Sequence, residues 1–443
     1  WLMLPIRSNA NTVINENSPS DARTLLAYYR LEQYPKTYLF YGPMFSDIYA
    51  PQDEKEPYVD GKPKYERDYK TNKYIIVNDW KDGKINSNKN HEGFFPRMWS
   101  SDNAVNYMKY FGALDFEVKN EYKSEEQITD LVSSFKSRID QNEVEEDDYN
   151  EFFSNFGSYL DIEKPSLLSN INYFVNFQLS KMYFRYFMWN FSGRQNDKQW
   201  KYDVENGNWL SGIEMIDKYR LGPQTNLPDD ALNNKARNIY FMIPFLLGLI
   251  GFFFIFNKSF KVLWPILLLF LFTGIALKFY LNERVFEPRE RDYALVGSFY
   301  AYCIFIGFSF LALVEFGLKY LNKKFSYILS FLIVITCPLL LSFNNWDDHD
   351  RSDRYTAQTL AKAYLDSIDE DKQAIIFTIG DNDTFALWYA QEIENHRTDV
   401  RTINTSLIAT DWYMDQMKRK AYKSDPILSN LKHEQYVLEK EII

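Results

Sequence analysis

Basic surface, cysteine, histidine and glycine-rich loops are all scarce in this chain of 443 residues, and each shortage removes a class of function. The formal net charge is -10, with 50 Lys and Arg against 60 Asp and Glu. No basic face is available for a phosphate backbone, so nucleic acid is not a partner. The two cysteines, Cys303 and Cys337, both fall inside apolar runs. That excludes a disulfide framework and reads both as small buried hydrophobes. Four histidines give no sign of a zinc site or a His-based triad. Walker loops and dinucleotide fingerprints are absent, because the glycines they need are missing. The opening Trp1-Leu2-Met3-Leu4-Pro5-Ile6 has no start Met, basic n-region or cleavage site, so it is no signal peptide. It reads as the last turn of an apolar helix, and the far end stops without a closing signal. The chain therefore reads as an internal piece of a longer protein.

What is present is apolar and unevenly spread. Four dense runs occupy 239–256, 262–281, 294–318 and 325–343. The first and last carry no charge, the second only Lys278 and the third only Glu315, both near an end where a long side chain can snorkel. A spanning helix needs about 20 mostly apolar residues, so each run qualifies. Four such runs leave no polar faces to cover a soluble core. The fold class expected is an α-helical polytopic membrane protein. An aromatic content of 18% suits its membrane–water interfaces. Four crossings place residues before 239 and after 343 on one side. Lys258, Lys261, Lys319, Lys323 and Lys324 sit in the short loops, against Lys235, Arg237, Arg284, Arg289, Arg291, Arg351 and Arg354 opposite. This tally does not separate the two sides.

The polar segment 1–238 is mixed. A helix is expected near 21–32, capped by Ser20 or Asp21. Residues 74–77 followed by Asp82-Gly83 read as a hairpin. Ser124 and Gln127 resemble a capping box, with Ile128, Leu131, Val132 and Phe135 on one face. The acidic stretch 143–148 reads as a solvated insert. Residues 166–191 are crowded with aromatics but interrupted by Lys181 and Arg185. They suit a helix lying in the interface or packed on the apolar block, an ordinary buried helix being the alternative. Beyond the last span, 344–443 alternates helical and strand periods in αβαβα order. That implies a parallel, doubly wound unit in the aqueous phase, cut short by the chain end.

Four polar clusters lie beside the apolar runs: Arg7, Asn11, Asn15 and Glu16; 283–293; 346–351; and Gly193-Arg194-Gln195-Asn196-Asp197. Arginines hold phosphate bidentately and stabilise a leaving group, while a carboxylate deprotonates an acceptor hydroxyl. Arg7, Asn15, Glu16, Arg194, Asn196, Arg289 and Arg291 are the candidate phosphate or sugar contacts. Glu287, Asp292, Asp347 and Asp348 are the candidate catalytic acids. The competing view is a network of structural ion pairs at the membrane surface. A hard divalent cation is open to Asp347, Asp348, His349 and Asp350, or to Asp381 and Asp383 after a strand. No spacing template supports it, and Gly380-Asp381-Asn382-Asp383 is more often a turn capping the next helix.

At these residues a family resemblance emerges. Pro5-Ile6-Arg7-Ser8, Ile14-Asn15-Glu16-Asn17, Glu32-Gln33-Tyr34 and Tyr41-Gly42 carry it first. Tyr186 to Phe191, Gly193 to Asp197, Asn208-Trp209 with Gly212, Glu287 to Tyr293, Asp347 to Arg351 and Gly380 to Phe385 continue it. Together they resemble a Bacteroidota membrane-protein family of GT-C glycosyltransferase type, described as protein O-mannosyltransferase-like. The resemblance implies a bacterial inner-membrane enzyme working in the periplasm. It implies a polyprenyl-phosphate sugar donor and a Ser/Thr acceptor on an exported protein. It also implies a catalytic carboxylate in a first periplasmic loop upstream of Trp1, leaving donor and acceptor contacts to this chain. Two other classes compete. One is a non-catalytic scaffold binding envelope proteins through 344–443. The other is a transporter, disfavoured because the runs show no central charges or helix breaks.

Overall fold

The structure, a computed structural model, describes the chain except residues 1–2, 11, 35–36, 51–55, 142, 201, 287–290, 371 and 438–443, and except the side chains of residues 146 and 292. It divides into two compact units. One comprises Thr37–Asp53 and Ser87–Asp350, the other Trp1–Lys36, Glu54–Asn86 and Arg351–Ile443.

The larger unit holds the apolar block of a helical membrane protein. Phe260–Leu281, Tyr293–Gly317 and Lys323–His349 are long and apolar enough to cross a membrane. The run expected at 239–256 is shorter than a span. Asn238 and Ile239 pair antiparallel with Arg194 and Gly193, and Phe241 and Met242 take positive φ before the helix begins. The helix Ile243–Lys258 then has 16 residues, about 24 Å at 1.5 Å per residue, against about 30 Å of hydrocarbon. The second run is also not one helix. It breaks at Thr273–Gly274 between Phe260–Phe272 and Ile275–Leu281. A Cβ on Gly274 would sit 2.6 Å from Ser298 Oγ and from the Tyr183 hydroxyl. Those two groups are themselves hydrogen-bonded at 2.6 Å. Absence of a side chain there lets three helices meet.

Lipid tails are as apolar as these side chains, so the helices associate by close packing and a few hydrogen bonds. Gly248 lies against the Tyr302 ring and Gly251 against the Phe305 carbonyl. The Tyr302 hydroxyl donates to Phe245 O at 2.6 Å, a bond worth about 0.6–2 kcal/mol in such a setting. The aromatic stretch is one continuous helix, α over Leu167–Tyr173, π over Phe174–Arg185 and α again over Tyr186–Phe191. Its last turns bury Phe187 and Phe191 against Tyr302, ring centroids 4.7 Å away in both cases. The polar part of this unit closes over Phe45, Tyr107, Phe116, Phe135, Phe152 and Tyr173. Phe135 stacks on Phe152 at 3.8 Å.

Two local expectations in this unit change. Helix Glu126–Asp140 has Glu125 at its cap with no side-chain bond, so the Ser124 box does not form. Val132 and Phe135 are buried on it, while Leu131 is exposed. The acidic stretch opens a helix, Glu146–Phe156. Asp148 accepts from the Glu145 N–H and from Arg138, both at 2.9 Å. Carboxylates in a first turn complement the helix dipole, which explains their density there.

In the smaller unit, Ile375–Thr378 and Arg401–Asn404 pair in parallel. Helices Thr356–Asp366, Asp381–Glu392 and Asp411–Met417 alternate with them. Ala361, Leu365, Leu387, Ala390 and Val400 form the core between. Asp21 caps Ala22–Tyr29, exchanging bonds with Thr24. The hairpin differs from expectation. Lys73–Asn78 pairs with the preceding Lys64–Asp68, while Asp82-Gly83 leads to Lys84–Ile85, which pairs with Tyr58–Val59.

Candidate functional site

The last membrane helix runs on past 343, through Asp347 and Asp348, to His349. The acidic cluster expected directly after the last apolar run is therefore, through His349, a helical turn, and neighbouring positions point about 100° apart. Asp347 faces solvent, while Asp348 turns inward, its side chain 11% exposed, and pairs with Arg194. Arg194 also donates through Nε to Ala236 O at 3.1 Å. His349 Nδ1 lies 2.7 Å from the other Asp348 oxygen. One turn earlier, Asn345 Oδ1 accepts from the Tyr240 hydroxyl at 2.8 Å and from Asn238 Nδ2 at 3.1 Å. Asn238, Tyr240 and Asn345 carried no pattern in the sequence. They share the site because the 238–239 strand pairs beside Arg194.

A tightly bonded loop holds this site from the other side. Asn196 Oδ1 accepts from Gly207 N at 2.9 Å and its amide reaches Glu205 O at 3.2 Å. Gln195 Oε1 accepts from both nitrogens of Asn208 at 3.1 Å. Asn196 thus braces the loop. Gly207 has φ +67°, and a Cβ there would lie 2.5 Å from Trp200 N. Three successive residues of the turn receive the aromatic helix and its neighbours. Gly207 O accepts from Arg185 at 2.6 Å, Asn208 O from Trp189 Nε1 at 2.7 Å, and Trp209 O from Arg220 at 3.2 Å. Arg185 and Arg194 both approach Trp189, their guanidinium carbons 4.9 and 5.7 Å from its ring centroid.

Lys278, expected to snorkel, is instead buried to 1% and bonds both oxygens of Glu283, at 2.8 and 2.7 Å. Glu283 O accepts from Tyr173 and Gln178, at 2.9 and 2.7 Å. This pair ties the start of the 283–293 loop to the aromatic helix. Within that loop Glu287 and Arg289 lie outside the described residues, as does the side chain of Asp292. Arg291 is half-buried and precedes the helix beginning at Asp292.

In the smaller unit, Arg7, Asn15 and Glu16 line one cleft of about 220 Å³ with Thr12 and Tyr28. Asn15 is partly committed: its backbone exchanges two bonds with the Gln416 amide, at 3.1 and 2.6 Å. Arg7 and Glu16 are exposed. Asp383 is a cap, accepting from the N–H groups of Ile379, Gly380 and Thr384 at 2.9–3.1 Å. Those bonds, Ile379's first, hold its carboxyl below the usual range. Asp381 is the first residue of the helix it caps, and Asp350 follows the end of the last membrane helix. Among the described residues no group of three or more His, Cys, Asp or Glu is placed to hold a metal ion.

Two family matches accompany this geometry. Residues 357–443, carrying the parallel strand pair, match the TMEM260-associated domain 2. Residues 35–175 match a family of unknown function (DUF8416). No curated protein matches the chain. No solved structure matches it either.

Proposed function

We propose that this chain belongs to a membrane glycosyltransferase of GT-C type, moving a sugar from a polyprenyl-phosphate donor to Ser or Thr of exported proteins. The Arg194–Asp348 pair at the end of a membrane helix carries the reading. The reaction breaks the bond between the anomeric carbon and the phosphate oxygen, and the phosphate leaves with the electron pair. The acceptor oxygen forms the new bond and gives up its proton. A guanidinium suits the phosphate and a carboxylate the proton. At rest the two groups neutralise each other. A phosphate that competes for Arg194 releases Asp348 toward an acceptor hydroxyl, and His349 is close enough to share its charge.

The match of residues 357–443 to the TMEM260-associated domain 2 supports a glycosyltransferase relationship. The proposal places the working face in the periplasm of a bacterial inner membrane. Arg289 and Arg291 are proposed donor contacts, and Glu287, Asp292 and Asp347 further acids around the acceptor. Arg7, Asn15 and Glu16 are proposed sugar contacts within their own cleft. A divalent cation, if one takes part, would draw on Asp350, Asp381 or Asp383.

The test is mass spectrometry of exported proteins from a strain lacking the gene, complemented with wild type or with Arg194→Ala. Glycans restored by wild type only are expected. An unchanged glycoproteome on deletion removes the enzyme and leaves a scaffold binding other envelope proteins.

A further inference from the structure

Around Trp189, whose ring is also approached by Arg194, lies a group of cations, two of which interrupt the aromatic stretch and none of which the sequence marked as a site. Lys181 and Arg185 are one turn apart on the aromatic helix, Arg185 Nε donating to Lys181 O at 2.9 Å. Arg220 comes from helix Glu214–Leu221 and lies 3.4 Å above the Trp209 ring. The Gly207–Asn208–Trp209 turn fixes Arg185 and Arg220 through its first and third carbonyls. Lys181 faces Trp200, its ammonium 4.5 Å from the ring centroid, and makes no hydrogen bond or ion pair with any described residue. Asp217, the acid beside Arg220, is already committed. Its oxygens accept from the N–H groups of Ser211 and Gly212 at 2.8–3.2 Å, and it stands 3.9 Å from Arg220.

Three like charges are thus positioned by backbone carbonyls and tryptophan rings, and the carboxylate beside Arg220 has its oxygens largely occupied. Burial, then the neighbouring charges of Arg185 and Arg220, push the Lys181 ammonium down. Burial pushes the Arg185 guanidinium down to about 9. Such a group is stabilised by an incoming dianion, which ends the mutual repulsion and supplies the acceptor oxygens Lys181 lacks. Arg185 forms the buried floor, 4% exposed, while Lys181 and Arg220 are half-open to solvent. Chain segments that continue directly into the apolar-packed turns 186–191 carry two of the three cations.

We infer that Lys181, Arg185 and Arg220 form a binding site for a phosphate or diphosphate group, the headgroup of a lipid in the first instance. The inference rests on the transferase reading for its biological sense, though the binding does not require it.

The test uses the full chain in nanodiscs and follows tryptophan fluorescence, since Trp200 and Trp209 line the group. Undecaprenyl phosphate incorporated in the disc is one probe and inorganic pyrophosphate in solution the other. Wild type should respond saturably to the lipid, and Lys181→Gln or Arg220→Gln should weaken binding about tenfold or more. Lys181→Arg should retain it, and so should Lys218→Gln, an exposed charge on the same short helix. A response to pyrophosphate alone keeps the phosphate site but overturns the lipid source. No saturable response to either probe, or equal binding by both Gln variants, overturns the site. Tight binding with no sugar transfer would instead sink the transferase and leave this site standing.

Discussion

Arg194 donates through a terminal guanidinium nitrogen to Oδ2 of Asp348, 154 residues further along the chain. One partner comes from a loop held by Asn196 and Gln195, the other from the last turn of a membrane helix. Their side chains are 19% and 11% exposed. Removing one leaves the other charge partly dehydrated, at a cost of about 1–3 kcal/mol for a pair not fully buried. Arg194→Ala and Asp348→Ala should each lose stability, and the double variant should lose less than their sum. A double-mutant cycle on the detergent-solubilised protein reads the coupling. A coupling near zero would show that the pair forms no working unit.

A second pair is more deeply placed. Lys278 and Glu283 are 1% and 4% exposed and share two hydrogen bonds. Lys278→Met or Glu283→Gln alone should destabilise by about 3–5 kcal/mol, whereas replacing both by apolar residues of similar volume should restore much of the loss. Denaturant midpoints in detergent decide this. Equal destabilisation by the single and double changes would mean that burial of the pair is not what matters.

How much of this was legible beforehand follows from the range of each signal. Hydropathy is local, so the apolar runs at 262–281, 294–318 and 325–343 could be read directly. Their ends could not. The first run loses its opening residues to a strand pairing with Gly193 and Arg194, some 45 residues upstream. The break at Gly274 reflects contacts with Tyr183 and Ser298, both remote in sequence. Lys278 looked like a snorkelling residue because its partner's orientation depends on Asn282 adopting left-handed φ. For the site, Arg194 and Asp348 were both singled out as candidates, but which acid of 347–350 turns inward depends on the helix continuing through them. Asn345, Tyr240 and the Lys181 group had no motif at all.

The smaller unit offers a pH test. His433 sits between Glu66 and Asp415, 2.9 Å from each; Lys64 bridges Glu66 and Asp411, and Tyr436, itself bonded by Lys418, donates to Asp415. Hydrogen bonds to Asp415 and then Glu66 push the imidazole up to about 10 from 6.5. Because the folded value is the higher one, the stabilisation is complete below 6.5 and declines as pH rises from there through about 10. NMR titration of the His433 ring should show a midpoint far above 6.5, falling back toward it in a Glu66→Gln, Asp415→Asn double variant. An ordinary midpoint in the wild-type chain would rule out the clamp between hairpin 64–78 and 415–433.

Glycine placement in the apolar block gives a paired test. A Cβ on Gly251 would lie 1.7 Å from the Phe305 carbonyl oxygen, a backbone atom that cannot move aside alone. A Cβ on Gly307, two residues along the same facing helix, would meet nothing within 4 Å. Gly251→Ala must therefore push Ile243–Lys258 away from Asp292–Gly317, stretching the Tyr302 to Phe245 hydrogen bond with it. A loss of about 1–3 kcal/mol is expected for such overpacking. Gly307→Ala should be neutral or stabilising by up to about 1 kcal/mol, because alanine is the better helix former. Thermal unfolding of the two variants in one detergent compares them directly. The packing of the short apolar helix predicts a loss at Gly251 and none at Gly307, and an equal loss at both would mean that this helix is not seated on Phe305.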